Sequence, residues 1–354
     1  MFKLGIIGAG KLGSFHADKA ASHKDVELVG VADPSESARK SLAEKYHIRE
    51  YSTAEELIPF VDAVVIASPT SLHYQLGELC LRKGRHVLME KPICSSWNDA
   101  RKLVETAQEV GVVFQVGHVE EFNPAWLVAQ EGGQFQEVKN GSPVLINAVR
   151  TGGYTFRITD VGTVLDMMIH DIDLVLSLIP SRVFFADATG FNLLGGQHED
   201  IADAQIRFEN GTIAHFYSSR VAPNAVREMR ITSASCSTTI DFAARTVKKY
   251  QPDEQVLQGL FSPKHVSPDT VTSLASCFMK EHFQTNEMTS DTVPALAAVD
   301  ALAKEMDDFA ESIQTGRQPR VSGNRALAAV AVAETIIESI RQKAPIRFDP
   351  QKIL

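Results

Sequence analysis

The sequence predicts an α/β protein in two parts: an N-terminal Rossmann-type doubly wound parallel sheet, then a C-terminal α/β domain on a mostly antiparallel open sheet. Three observations predict it. Short, almost wholly apolar runs alternate with helical patterns up to about Phe122, and a glycine fingerprint separates the first run from the first helix. Beyond Phe122 the texture changes to alternating runs punctuated by turn residues.

Taken in order, "KLGIIG", "VELVGVA", "DAVVIAS", "HVLME" and "VVFQVG" read as strands bounded by Gly, Asp or Pro. Strands this apolar are covered on both faces, which requires helices between them, and candidates start near Lys11, Ser35, Ser71 and Ser96. Residues 1–122 form this first domain, and residues 123–354 form the second. In the second, "DIADAQIRFENGTIAHFYSSRV" reads as a hairpin with Asn210-Gly211 as a two-residue turn. "VLDMMIHDID" (Val164 to Asp173) reads as a helix, because Leu165, Ile169, Ile172, Leu176 and Ile179 recur at the spacing of one buried stripe. Asp166, His170 and Asp173 fall together on another face of that wheel. Residues 251–294 read as irregular and polar, with no role assigned. Leu302, Met306, Phe309 and Ile313 mark a helix closed by Gly316, and Leu327, Val330, Ile337 and Ile340 mark another. These last helices are free to pack back on the first domain.

At 354 residues the chain exceeds one ordinary core, and its net charge of −9, without a dense basic patch, argues against nucleic-acid or anionic-membrane partners. The apolar run from Ala326 to Ala333 stops at Glu334, short of a bilayer span, and the N-terminus lacks a secretory pattern, so a cytoplasmic location is expected. Cys80, Cys94, Cys236 and Cys277 form no C-x-x-C pair, which fits reduced thiols better than disulfides or a zinc site.

"GIIGAGKLG" supplies Gly8, Gly10 and Gly13 in G-x-G-x-x-G spacing, with Lys11 and Leu12 in the same loop. Gly8 permits the tight turn, Gly10 lets a pyrophosphate approach the backbone, and Gly13 lets helix and strand pack closely. Asp33 ends the second strand, where a carboxylate accepts hydrogen bonds from a ribose diol and repels a 2′-phosphate, so NAD is favoured over NADP. "ASPTSLH" (Ser68, Pro69, Thr70, His73) and "MEKP" (Glu90, Lys91) occupy further strand carboxyl ends, where ligands of open α/β sheets sit.

With these motifs in order, followed by "VGHVEEFNP", "RITDVGTVLDMMIHDID" and "GRQPRVSG", the chain resembles the Gfo/Idh/MocA family of dinucleotide-dependent sugar and polyol oxidoreductases. The resemblance implies an open second sheet that makes oligomer contacts, and hence a homodimer or homotetramer. It implies a nicotinamide between the "EKP" strand end and the helix beginning near Leu165. It also makes Lys91 the lysine of E-K-P, and Asp166 and His170 the acid and histidine of D-x-x-x-H. Removing hydride from a secondary alcohol leaves a proton, and a histidine titrates close enough to neutrality to take it. His170 is then the general base, Asp166 orients its imidazole, and Lys91 polarises the reacting hydroxyl. Asp173 either reaches substrate, or caps a helix or pairs at the surface. A metal on Asp166, His170 and either His118 or Asp173 is not expected, since Lys91 would place a competing cation there and no H-E-x-x-H is present.

Within the family the motifs most resemble the branch acting on nucleotide-linked amino sugars of the UDP-N-acetylglucosamine type, which implies a 3-keto product. Glu121 departs from that branch, whose members commonly carry arginine there, and an acid would not help hold an anionic ligand. Arg150 and Arg157 are candidates for a diphosphate or carboxylate, and His118, Asn123 and Tyr154 for sugar hydroxyls. A free sugar, polyol or inositol dehydrogenase is the alternative enzyme. A non-catalytic sensor is the alternative class, which the presence of Lys91, Asp166 and His170 disfavours.

Overall fold

The structure, a computed structural model, describes residues 1–133, 135–156, 159–261 and 277–352. Among these, the apolar N-terminal runs build a six-stranded sheet in the order β3-β2-β1-β4-β5-β6, with every pairing parallel. Its strands are β1 (Phe2–Ile7), β2 (Val26–Ala32), β3 (Arg49–Tyr51), β4 (Ala63–Ile66), β5 (His86–Glu90) and β6 (Phe114–Gly117). The crossovers carry α1 (Lys11–Ser22), α2 (Glu36–Tyr46), α3 (His73–Arg82) and α4 (Trp97–Val110). Ser35 and Ser96 cap α2 and α4 by accepting the amides of Ala38 and Asp99, which is why those helices begin there.

After α5 (Pro124–Glu131) comes the second sheet, nine-stranded among the described residues, in the order β14-β13-β12-β11-β7-β10-β9-β8-β15, its last strand following the final helix. Its strands are β7 (Leu145–Thr151), β8 (Val183–Phe191), β9 (Ile201–Phe208), β10 (Ile213–Ser219), β11 (Val226–Thr232), β12 (Ser237–Asp241), β13 (Thr246–Pro252), β14 (Phe283–Met288) and β15 (Ile346–Arg347). Only the β7–β10 pairing among them is parallel. α6 (Ile169–Leu178) and α8 (Gly323–Gln342) pack on one another, with α8 also against β8 and α4. α7 (Ala301–Thr315) returns to the first sheet, where Met306, Phe309 and Ala310 join Phe2, Leu4 and Ile6 in one apolar cluster. It ends at Gly316, whose φ of 73° closes the helix as its sequence position implies.

Three local readings are corrected. The β9–β10 loop is three residues long, because the Phe208 amide donates to the Thr212 carbonyl and Gly211 sits at φ 89° inside it. β14, "FQTNEM", pairs with β13 inside the stretch read as irregular; as a largely exposed edge strand it has no alternating apolar pattern to betray it. Residues 262–276 of that stretch lie outside the described residues. Finally, Val164–Met168 is one π turn, with the Ile169 amide reaching the Val164 carbonyl. The wider turn changes the angular spacing across it, so Asp173 leaves the face of Asp166 and His170 and is buried. No helix among the described residues is long and apolar enough to cross a membrane.

Candidate active site

β1 ends in a turn that only glycine satisfies. Gly8 has φ 102°, and a Cβ there would lie 2.6 Å from the Ala67 carbonyl oxygen; a Cβ on Gly13 would lie 1.9 Å from the Gly8 carbonyl oxygen. Gly10 differs, since a Cβ there meets nothing within 4 Å. Gly10 is also the N-cap of α1 and offers no side chain to its first amides, so the helix end stays open as an anion cradle. The Asp33 carboxylate accepts the Ala9 and Ser35 amides, each at 2.7 Å, tying β2 to this loop while lone pairs remain on both oxygens. These residues fit a dinucleotide pyrophosphate and ribose.

Beyond the strand carboxyl ends opens a cavity of about 720 Å³. Gly10, Lys11, Leu12, Ser68, Pro69, Thr70, Glu90 and Lys91 line one wall, and Arg150, Tyr154, Asp166, His170, Arg220 and Arg227 the other. A second hollow of about 560 Å³, bordered by Lys3, Arg49, Asp62 and Arg85, lies at the strand amino ends, away from the glycine loop and against the rule for ligand placement in such sheets.

Within the large cavity the Lys91 ammonium donates to Asp166 Oδ1 at 2.9 Å and to the Asp166 carbonyl. Asp166 therefore holds Lys91 and has no hydrogen bond to His170, so its expected role as orienter of the imidazole is corrected. The His170 ring turns Nδ1 into the protein, where it has no hydrogen-bond partner, which leaves Nε2 for the cavity. Burial pushes its pKa well below the usual histidine value, and Lys91, Arg150, His118 and Arg227 push the same way. The imidazole is neutral at physiological pH, so its Nε2 lone pair is open, and the same burial and cations make it a weaker base than a free histidine.

Several expected ligand contacts are structural instead. His73 is 1% exposed, and its ring nitrogens face the Pro92 carbonyl at 2.8 Å and the Ser68 carbonyl at 3.0 Å, so it joins two cofactor-side loops rather than touching the cofactor. Asn123 caps α5 through Ala125 and donates to Glu120 Oε2 at 2.9 Å and the Phe242 carbonyl at 3.1 Å. Asp173 accepts Arg325 Nε at 2.8 Å and Nη2 at 2.7 Å, away from the cavity. His118 is buried edge-on against His170, ring centroids 6.0 Å apart, and supports that ring rather than a sugar hydroxyl. Arg150 lines the cavity but is spent on Glu120 at 2.7 Å and on Asp171 at 2.8 and 3.0 Å. Glu121 is buried among arginines of the C-terminal segment, so its departure from the nucleotide-sugar branch does not bear on the ligand. Tyr154 does line the cavity, its ring under the Arg220 guanidinium at 5.2 Å; Arg157 lies outside the described residues.

Sequence reasoning missed His16, Arg220 and Arg227. His16 is buried on α1 and pairs with Glu90 at 2.7 Å behind the cavity wall; its place among the small residues of "FHADKA" was the available signal. Arg220 and Arg227 belong to a sheet whose strand ends reach the cavity only through long-range pairing.

Comparison with known proteins gives the family and the fold. Residues 2–118 match the oxidoreductase family with NAD-binding Rossmann fold, and residues 146–235 match the GFO/IDH/MocA C-terminal domain. UDP-N-acetylglucosamine 3-dehydrogenase of Acidithiobacillus ferrooxidans is 30% identical over 96% of this chain and 99% of its own length. A solved structure of that enzyme superposes with a TM-score of 0.81 at 28% identity, covering 96% of this chain and 98% of the other. Inositol 2-dehydrogenase of Rhizobium meliloti is 24% identical over 97% of this chain and 98% of its own.

Proposed function

The chain belongs to the GFO/IDH/MocA family of NAD-binding oxidoreductases, and from that premise we propose that it oxidises a secondary alcohol of a nucleotide-linked amino sugar of the UDP-N-acetylglucosamine type to the 3-keto product. The observation that carries this reading is the convergence of Lys91, Asp166 and His170 on the cavity that Gly10 and Lys11 also line.

Bound NAD supplies the hydride acceptor. The protein's share is to hold the alcohol and move its proton. His170 Nε2 takes the hydroxyl proton, which its neutral state permits, and Lys91 donates to the oxygen as negative charge develops on it. Asp166 is a positioning residue for Lys91: its carboxylate and carbonyl hold the ammonium at one spot, with the lysine side chain only 11% exposed. A fixed donor in a partly dry site needs little reorganisation as charge appears.

The chain is also proposed to self-associate as a homodimer or homotetramer through the second sheet. Leu145 and Tyr217 lie on its uncovered face at 54% and 37% exposure, and Phe191 on the same face at 59%.

The test is NADH formation across UDP-N-acetylglucosamine, other nucleotide sugars, free sugars and inositols, with His170→Ala and Lys91→Ala as controls. The reading expects turnover with UDP-N-acetylglucosamine, lost in both variants. Turnover of a free sugar or inositol alone would overturn the substrate, and tight NAD binding with silence across the whole panel would favour a sensor.

A further inference from the structure

Most cations lining the large cavity are matched to a carboxylate. Lys91 meets Asp166 at 2.9 Å, Arg150 meets Glu120 and Asp171 at 2.7 and 2.8 Å, and Arg220 meets Asp200 at 2.8 Å. Two lining cations, Lys11 and Arg227, have no carboxylate partner among the described residues. Lys11 stands at the open N-terminus of α1, where the dinucleotide's own phosphates account for it. Arg227 stands on the opposite wall and makes no ion pair among the described residues, while Asp171, the nearest assigned carboxylate to act on it, is already paired with Arg150.

The Arg227 side chain is exposed, but the exposure is toward the cavity that it lines. β11 pairs with β7 so that Arg227 lies opposite Arg150, and it shares the inward face of the sheet with Met229 and Ile231, both buried in the core. The side chain therefore leaves the sheet on the cavity side and not on the open face. Arg227 is also close enough to His170 and Asp171 to act on both electrostatically. The carboxylates that remain in the cavity sit on the cofactor wall, Glu90 paired with His16 and Asp160 accepting the Ser71 amide at 3.1 Å.

We propose that Arg227 anchors an oxyanion carried by the substrate, the phosphate at the anomeric end of a nucleotide-linked sugar, and so sets the preference for charged over free sugars. A guanidinium presents paired donors that match phosphate or carboxylate oxygens, and on this wall the group lines the same cavity as the proton acceptor His170. This rests on the functional reading above and names its anion subsite.

The test compares wild type, Arg227→Gln and Arg227→Lys, all NAD-loaded, on UDP-N-acetylglucosamine, N-acetylglucosamine 1-phosphate, glucuronate and free N-acetylglucosamine. Arg227 also influences His170, so the readout is the ratio of kcat/KM between charged and free sugar, in which an effect on the base cancels. The ratio should fall by about 10- to 100-fold in Arg227→Gln, the worth of one charge-assisted contact, and recover in part in Arg227→Lys. A ratio that falls for glucuronate but not for either phosphorylated sugar would overturn the phosphate assignment, and an unchanged ratio would overturn the subsite. Calorimetry with UDP on the same proteins separates this from the dehydrogenase reading. UDP binding lost with Arg227 supports the subsite even if no sugar is oxidised, whereas UDP binding equal in wild type and Arg227→Gln overturns it even if sugars are.

Discussion

Glu121→Gln should destabilise the protein without touching substrate recognition. The Glu121 carboxylate is 1% exposed and accepts Arg320 Nε at 2.9 Å, Trp126 Nε1 at 3.1 Å, Ser177 Oγ at 2.8 Å and the Arg325 guanidinium. It thus ties the entry to α5 and α6 to the segment leading into α8. Glutamine keeps the shape but removes the charge and turns one acceptor into a donor facing an arginine. Breaking a buried ion pair costs about 3–5 kcal/mol. The Arg320 side chain is 34% exposed and re-solvates, so its share falls to the small worth of a surface pair and the lower end, about 3 kcal/mol, applies. With an unfolding entropy that scales with chain length, that corresponds to a melting temperature lowered by about 4 °C. Burial raises the Glu121 pKa, but Arg325 and Arg320 outweigh it and hold the carboxyl below its usual value. A depressed carboxylate stabilises the fold above its unfolded pKa of about 4.3 and loses that contribution as pH falls through the folded value. The gap between wild type and variant should be full at about pH 7 and shrink below about pH 4. Thermal melts followed by circular dichroism, with KM measured alongside, provide the assay. An unchanged melting temperature with a raised KM would refute the structural role.

Three further expectations follow from the same geometry. His170→Ala should lower kcat by about 10²- to 10⁴-fold with NAD affinity kept; because burial and the surrounding cations hold the wild-type imidazole neutral, kcat/KM for wild type should stay flat through the ordinary histidine range, and an acid limb at about pH 6.5 would contradict this. Gly10→Ala should fold normally yet bind NAD weakly, since its methyl enters open space that the cofactor needs, while Gly13→Ala should lose about 1–3 kcal/mol of stability by clashing with the Gly8 carbonyl; equal behaviour in melts and NAD titrations would count against the loop geometry. Glu305 is fully buried with neither oxygen bonded, and burial, with Glu90 and Asp308 adding to it, raises its pKa well above normal, so stability drains as pH rises from the unfolded value toward the folded one. Glu305→Gln should therefore melt higher than wild type at neutral pH and alike below about pH 4, and a variant less stable at neutral pH would refute a neutral Glu305.

What could be read from the chain was whatever depends on neighbours close in sequence. The alternation of β1, β2 and their helices, the positive φ of Gly8, the contact of Gly13 and the strand-end position of Asp33 all follow from local backbone geometry. Lys91, Asp166 and His170 were legible as motif members. Their partners were not. Asp166 and Asp173 share a helical wheel on paper, but a π turn and Arg325, 152 positions away, bury Asp173. His73 and Asn123 are chemically able to bind a ligand, yet carbonyls of distant loops reach them first. Glu121 looked like a ligand-facing acid because its arginines stand some 200 positions downstream. Arg227 carries no local signal, because only the β7–β11 register turns it toward the cavity.

On the proposed mechanism Lys91 and His170 act on one sugar carbinol beside NAD. UDP-N-acetylglucosamine deuterated at C3 tests it most directly, with the reduced dinucleotide analysed for label by mass spectrometry. Wild type should move the deuterium onto the nicotinamide, and His170→Ala and Lys91→Ala should leave it on the sugar under the same conditions. Label retained on the sugar by wild type, or transferred as readily by both variants, would contradict the claim.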